Sequence, residues 1–116
     1  STREISVRIY ANILRQLYNA SYLNLDYSNT LLEYLSQTEF TSGIMAGVPK
    51  GITVAHKFGE ATMTNADGAA ELRVLHDCGI VYRPEKPYIV CIMTEGKDFN
   101  QLTNVIKRIA EASYKL

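Results

Sequence analysis

Ile52-Thr53-Val54-Ala55-His56-Lys57-Phe58-Gly59, Leu75-His76-Asp77-Cys78-Gly79-Ile80-Val81-Tyr82 and Tyr88-Ile89-Val90-Cys91-Ile92-Met93-Thr94 are three short runs rich in β-branched and aromatic residues. Each is bounded by Gly, Pro, Asp or Asn, the way strands separated by turns appear in sequence. A small polar loop at 62–71 separates the first two runs. Arg83-Pro84-Glu85-Lys86-Pro87 separates the second and third, with prolines that stop a ladder at both ends. The three runs therefore predict an antiparallel meander. The third carries no charged residue from Tyr88 to Thr94, so both its faces are expected to be buried, as in an interior strand. The chain then turns helical, leaving that strand one neighbour in sequence, and polypeptide from outside this chain is expected on its free edge.

Upstream, residues 7–18 place Ile9, Ile13 and Leu17 on one stripe with Tyr10, Leu14 and Tyr18 beside it, and Arg8, Asn12 and Arg15 opposite, which is helical spacing. Ser6 reads as the N-cap, and Ser1-Thr2-Arg3-Glu4 offers a capping box one turn earlier. A second amphipathic segment carries Tyr27, Leu31, Tyr34 and Leu35, with Asp26 as its cap and an end near Thr38. Residues 40–51 are punctuated by Gly43, Gly47, Pro49 and Gly51, and predict a short helical turn around Ile44 and Met45. The Asn-Ala-Asp-Gly run makes the 62–71 loop the segment expected to be most mobile. Asp98 caps the last helix with Gln101 completing a capping box, and Phe99, Leu102, Val105, Ile106, Ile109 and Ala112 form the stripe expected to lie across one face of the sheet. There are no internal repeats and no linker, so residues 1–116 read as a single α+β unit.

Composition narrows the function classes. A chain of 116 residues is one domain at most and buries roughly 65% of its unfolded surface, enough for a core. Twelve Lys plus Arg balance twelve Asp plus Glu, which gives no electrostatic reason to expect nucleic acid or an acidic membrane as partner. No apolar run approaches the ~20 residues of a membrane span, and the first residues lack the basic-then-apolar pattern of a signal peptide.

The chemistry-bearing residues are few. A hairpin register centred on Glu85 puts Cys78 opposite Ile92 with the two thiols on opposite faces, so Cys78 and Cys91 read as two buried free thiols; a one-residue change in turn length would bring them opposite each other. His56 precedes Lys57 and points to the other face of its strand, reading as a hydrogen-bonded core histidine. His76 and Asp77 are adjacent and face opposite ways, which argues against a dyad between them. No His, Cys or carboxylate spacing has the form of a zinc site, and no cofactor is indicated. The eight tyrosines read as amphipathic core and interface residues.

The order of elements is more specific than any one of them. Two helices, Gly47-Val48-Pro49, a strand carrying His56-Lys57-Phe58-Gly59, a strand reading Leu75-His76-Asp77-Cys78-Gly79-Ile80-Val81, an apolar strand and a closing helix resemble the C-terminal part of the class A β-lactamase and penicillin-recognising serine hydrolase family. In that family a Lys-Thr/Ser-Gly triplet sits on the strand beside the active site, with a Ser-x-x-Lys nucleophile and a Ser-x-Asn element earlier in the chain. Lys57-Phe58-Gly59 matches the triplet in position. The resemblance implies an α+β three-layer fold of which this chain is the C-terminal part, a small-molecule or peptide substrate, and the missing N-terminal part of the domain as a partner. It also implies an extracytoplasmic setting, the family's usual one.

The same resemblance implies roles for four residues and none for a catalytic one. Lys57 would present its ammonium to a substrate carboxylate. Gly59 would let the substrate backbone approach without a Cβ in the way. The Glu60 N–H would be one of two oxyanion-hole donors, a type of contact worth about 2.7–4 kcal/mol. Phe58 departs from the pattern, putting an aromatic ring where the family shares the carboxylate with a hydroxyl. No serine in the chain is followed three residues later by lysine, so the nucleophile is absent. Tyr10-Ala11-Asn12 matches the Tyr-x-Asn of related enzymes but sits in a helix in the wrong context. The rival readings are a non-catalytic binding or assembly module on the same scaffold, and a small α+β protein that forms a homo-oligomer through its open strand edge.

Overall fold

The computed structural model describes residues 6–20, 24–64, 66–68 and 71–116. Its elements run α1 (Val7–Asn19), α2 (Leu25–Leu35), α3 (Ile44–Gly47), β1 (Val54–Thr64), β2 (Glu71–Val81), β3 (Tyr88–Gly96) and α4 (Phe99–Tyr114). The helix starts follow side-chain capping. Ser6 Oγ accepts from the Ile9 N–H at 3.2 Å, and Asp98 Oδ1 accepts from the Asn100 N–H at 2.9 Å. At α2 the cap is Asn24, whose Oδ1 accepts from the Tyr27 N–H at 2.9 Å, and not the expected Asp26, which sits inside the first turn where its charge favours the positive end of the helix. The capping box at residues 1–4 lies outside the described residues.

The sheet is an antiparallel meander in the order β1-β2-β3. β1 and β2 pair from Val54↔Val81 to Thr64↔Glu71, so both strands run further into the 62–71 segment than the sequence reading allowed. Thr62 favours extended backbone, and the ladder continues through it to Thr64. The β2–β3 register corrects the Glu85-centred one. Val81 pairs with Tyr88 and Cys78 with Cys91, because the turn spans 82–87 with Glu85 in the left-handed region at φ 67° and Lys86 N–H donating to the Arg83 carbonyl. That one-residue difference places the cysteines opposite each other on one face, and they are joined as a disulfide rather than standing as two free thiols. Arg83 ties the hairpin to the end of α4, stacking 4.7 Å from the Tyr88 ring and donating to the Tyr114 carbonyl at 2.7 Å.

Among the described residues β3 pairs with β2 alone, so the edge on which polypeptide from outside this chain is expected stands open, and on this strand only Ile92 is buried. Its uncharged sequence is explained by cover from both sides, α4 on one face and α1 on the other. The face shared with α3 and α4 holds the larger core, built from Ile44, Val54, Leu75, Val81, Ile92, Leu102 and Ile106. Each such side chain contributes about 1.5–3 kcal/mol by leaving water. α3 crosses α4 at Gly47, where a Cβ would meet the Lys107 carbonyl at 2.3 Å; the crossing requires glycine. The opposite face packs Leu14, Cys78 and Ile80 with Tyr10, Leu32, Leu35 and Ile89.

Neither predicted helical stripe is buried across its full width. On α4 Leu102, Ile106 and Ala110 are buried while Val105 and Ile109 are exposed, and on α1 Leu14 is buried while Ile9 and Ile13 are exposed. Tyr27, Leu31 and Tyr34 on α2 are exposed as well. α1 and α2 thus carry a wide apolar surface away from the sheet.

Candidate functional site

Among the described residues β1 is an edge strand with two different faces and an outer backbone edge, and each carries chemistry. On the α3/α4 face His56 and Asp77 are fully buried, with His56 Nδ1 2.7 Å from Asp77 Oδ1. The two are diagonal neighbours across the ladder, since His56 pairs with Gly79 and Asp77 with Phe58. The second carboxylate oxygen, Asp77 Oδ2, accepts from the Ile44 N–H at 3.0 Å and so fixes the start of α3. The pair is enclosed by two glycines: a Cβ at Gly79 would meet His56 Cβ at 2.5 Å, and one at Gly43 would meet Asp77 Oδ2 at 2.7 Å. His56 Nε2 has no hydrogen-bond partner among the described residues. The reading of His56 as a hydrogen-bonded core histidine is borne out; its partner is Asp77, which the sequence reading considered only against its neighbour His76. Counting the cross-strand register would have found it.

Phe58 lies on this same face and stacks on Phe40, with ring centroids 4.5 Å apart. Its ring packs on the core side, and the Lys57 ammonium, reaching round the strand edge, lies 5.5 Å from the ring centroid. The backbone of His56, Phe58 and Glu60 shares one side of the strand by the two-residue repeat of extended chain. The His56 carbonyl accepts from Thr38 Oγ1 at 2.7 Å, outside the β1–β2 ladder, so the Glu60 N–H belongs to that outer side as well.

The other face carries Lys57 and Gly59 together with His76, which is paired with Gly59 across the ladder. Lys57 is exposed; its Nζ donates to the Phe58 carbonyl at 2.9 Å, and no carboxylate among the described residues lies within ion-pair distance of it. The His76 ring lies over Gly59, where an added Cβ would meet imidazole Cε1 at 2.4 Å and Nε2 at 2.7 Å. The glycine thus makes room for an imidazole as its own neighbour. Tyr10 of α1 packs beside that ring, centroids 5.7 Å apart and edge-on. Burial and the Lys57 charge hold the His76 pKa below the usual histidine value, with Asp77 acting weakly the other way. Burial, then the Asp77 charge, pushes the Tyr10 phenol up. Beyond Lys57 the face continues as an apolar groove of about 410 Å³ between α1 and α2, lined by Ile13, Leu17, Leu31 and Tyr34 among others.

The strand thus brings Lys57, Gly59 and the Glu60 N–H to one border, with the Phe58 ring stacked on Phe40 beneath the Lys57 ammonium. His76 and Tyr10 join that border without having been singled out as site residues; the signal for His76 was its place opposite Gly59, legible once the register is known. Among the described residues no group of three His, Cys, Asp or Glu side chains could hold a metal ion, and no helix is long and apolar enough to cross a membrane.

The beta-lactamase enzyme family matches over residues 1–116. Among curated proteins no sequence matches at a significant level. Solved structures that resemble the chain include PBP-A, with TM-score 0.75 and 23% identity over 93% of this chain and 38% of that one. A mutant of PBP-A captured as an acyl-enzyme complex with penicillin G gives TM-score 0.73 at 24% identity, over 93% of this chain and 38% of that one. A beta-lactamase from Chitinophaga pinensis gives TM-score 0.77 at 20% identity, over 92% of this chain and 40% of that one. The chain spans about 38–40% of the length of these structures.

Proposed function

Because the chain belongs to the beta-lactamase enzyme family, we propose that it is the C-terminal portion of a β-lactamase-like serine hydrolase domain and supplies one wall of its pocket. The wall is β1. Lys57 holds the anionic group of a β-lactam or an acyl-peptide or ester substrate, and the Glu60 N–H on the outer side of the strand supports the developing oxyanion. The attacking serine and its activating lysine belong to polypeptide upstream. The observation that carries this reading is the exposed Lys57, with no carboxylate partner among the described residues, on the same edge strand as Gly59 and Glu60, with the strand's other face locked by His56, Asp77 and Phe58.

The test is acylation of the longer natural polypeptide by a fluorescent penicillin. Covalent labelling that is lost when Lys57 becomes Gln supports the reading; a folded protein that takes no label removes the hydrolase claim. A Ser-x-x-Lys about 100–130 residues upstream of Ser1 is the matching sequence expectation. The 116-residue chain alone is expected to leave nitrocefin unhydrolysed, since an oxyanion wall without a nucleophile has nothing to stabilise.

One observation favours a second reading, a non-catalytic binding or assembly module on the same scaffold. Phe58 stands where the resemblance calls for a hydroxyl, and its ring is stacked on Phe40 rather than offered to the pocket. Reversible penicillin binding without covalent label would favour this module over the enzyme. The apolar rows on α1 and α2 and the free edge of β3 are surfaces on which the rest of the domain, or a second copy of the chain, would dock. Sedimentation of the chain distinguishes these, a monomer counting against self-association.

A further inference from the structure

The border of β1 is short of one polar contact. With the Phe58 ring turned to Phe40, the triplet itself offers a bound carboxylate only the Lys57 ammonium. On the face that carries Lys57, the register leaves one other polar side chain on β1 and β2 between Ala55 and Met63 and between Leu72 and Ile80, and that is His76. It is a diagonal cross-strand neighbour of Lys57, which pairs with Cys78, and diagonal neighbours are within reach of long side chains. Its ring is held in place by Gly59 beneath and Tyr10 beside it.

We infer that His76 is a substrate-binding residue of this wall, donating from its imidazole to the ligand carboxylate that Lys57 holds and so replacing the hydroxyl that Phe58 lacks. The inference rests on the reading of β1 as the carboxylate-binding wall and names its second donor. The charged and titratable groups facing the imidazole are Tyr10 from α1, Lys57 from β1, Asp77 through the sheet on β2, and Glu95, one same-face step along β3 from Met93, the residue paired with His76. The free-state imidazole is held toward its neutral form by burial and by Lys57. A carboxylate docked on Lys57 offsets that ammonium and favours imidazolium.

NMR titration of the His76 ring in the longer natural polypeptide, with benzylpenicillin and with its methyl ester, tests this. Saturating benzylpenicillin is expected to raise the His76 titration midpoint by about one pH unit, as a carboxylate at ion-pair distance does, and the uncharged ester is expected to leave it in place. His76→Leu is expected to weaken benzylpenicillin binding about tenfold, the worth of one hydrogen bond to a charged group, with His76→Gln retaining most of the affinity. An unmoved midpoint, an equal response to the ester, or no binding at all overturns the inference, and the titration of the unsubstituted protein decides it if His76→Leu does not fold. Fluorescent-penicillin labelling reads the parent proposal separately. Label with an unmoved midpoint sinks the role of His76 alone, and a carboxylate-dependent midpoint without label sinks the hydrolase and keeps the binding residue.

Discussion

Replacing His56 by alanine removes one half of a pair that is shut off from the protein surface. His56 and Asp77 are both at 0% exposure, and without the imidazole the Asp77 carboxylate keeps only the Ile44 N–H as a hydrogen-bond donor among the described residues. Breaking a buried pair from one side costs about 3–5 kcal/mol, because the remaining group stays buried without its counterpart. Against a total stability of about 5–15 kcal/mol for a domain this is a large share. For 116 residues, with unfolding entropy of about 2.1 cal/mol/K per residue, it corresponds to a fall in Tm of roughly 12–20 °C. The chain has no tryptophan, so urea denaturation followed by far-UV circular dichroism is the suitable assay. Asp77→Asn, which keeps the shape and an oxygen for the Ile44 N–H, is expected to cost less, about 1–3 kcal/mol. The double variant His56→Ala with Asp77→Ala is expected to cost less than the two single losses added. A His56→Ala protein within 1 kcal/mol of the parent would refute the argument that this pair locks β1 onto α3.

Gly59→Ala places a Cβ within 2.4 Å of the His76 ring; about 1–3 kcal/mol of destabilisation and a displaced His76 ring resonance are expected. Thiol labelling of the denatured, unreduced chain should find no reactive cysteine, since Cys78 and Cys91 are joined, and replacing both by alanine should cost about 3 kcal/mol on a chain-entropy estimate for a loop of this size; two labelled thiols would contradict the structure. His76 has a folded pKa below its unfolded value of about 6.5, so between the two the unfolded chain binds more protons. Stability is expected to be complete above about pH 6.5 and to decline as pH falls through that value toward the folded one. Urea midpoints compared from pH 8 to pH 5 should fall more for the parent than for His76→Gln, and equal slopes would show that His76 is not the group responsible.

The three strands, their antiparallel order, the short α3 and the closing helix were legible because each rests on local signals: β-branched runs, turn residues, and caps at Ser6 and Asp98. What was not legible depends on register. One residue of turn length decides whether Cys78 faces Ile92 or Cys91, and a turn centred on Glu85 and one centred between Pro84 and Glu85 are equally acceptable in sequence. The same quantity hides the His56–Asp77 pair and the seat of His76 on Gly59, since both are relations between strands and not between neighbours. The uncharged run of β3 has a different basis. An uncharged run reports cover on both faces, and helices provide that cover as well as further strands do.

The division of labour on β1 follows from its being an edge. An edge strand bears on one neighbour only, so a residue series that must hold a border steady for a ligand needs anchorage from elsewhere. Here it comes from every second residue: Val54 in the core, His56 on Asp77, Phe58 on Phe40. The alternate residues, Lys57 and Gly59, are then free to serve the opposite face, and the outward backbone of His56 is held by Thr38. Phe58 fits this scheme as an anchor rather than as a contact, which is why its substitution for a hydroxyl need not empty the border of polar groups. The donor it lacks has to come from the next strand, and His76 is the residue that the ladder brings there.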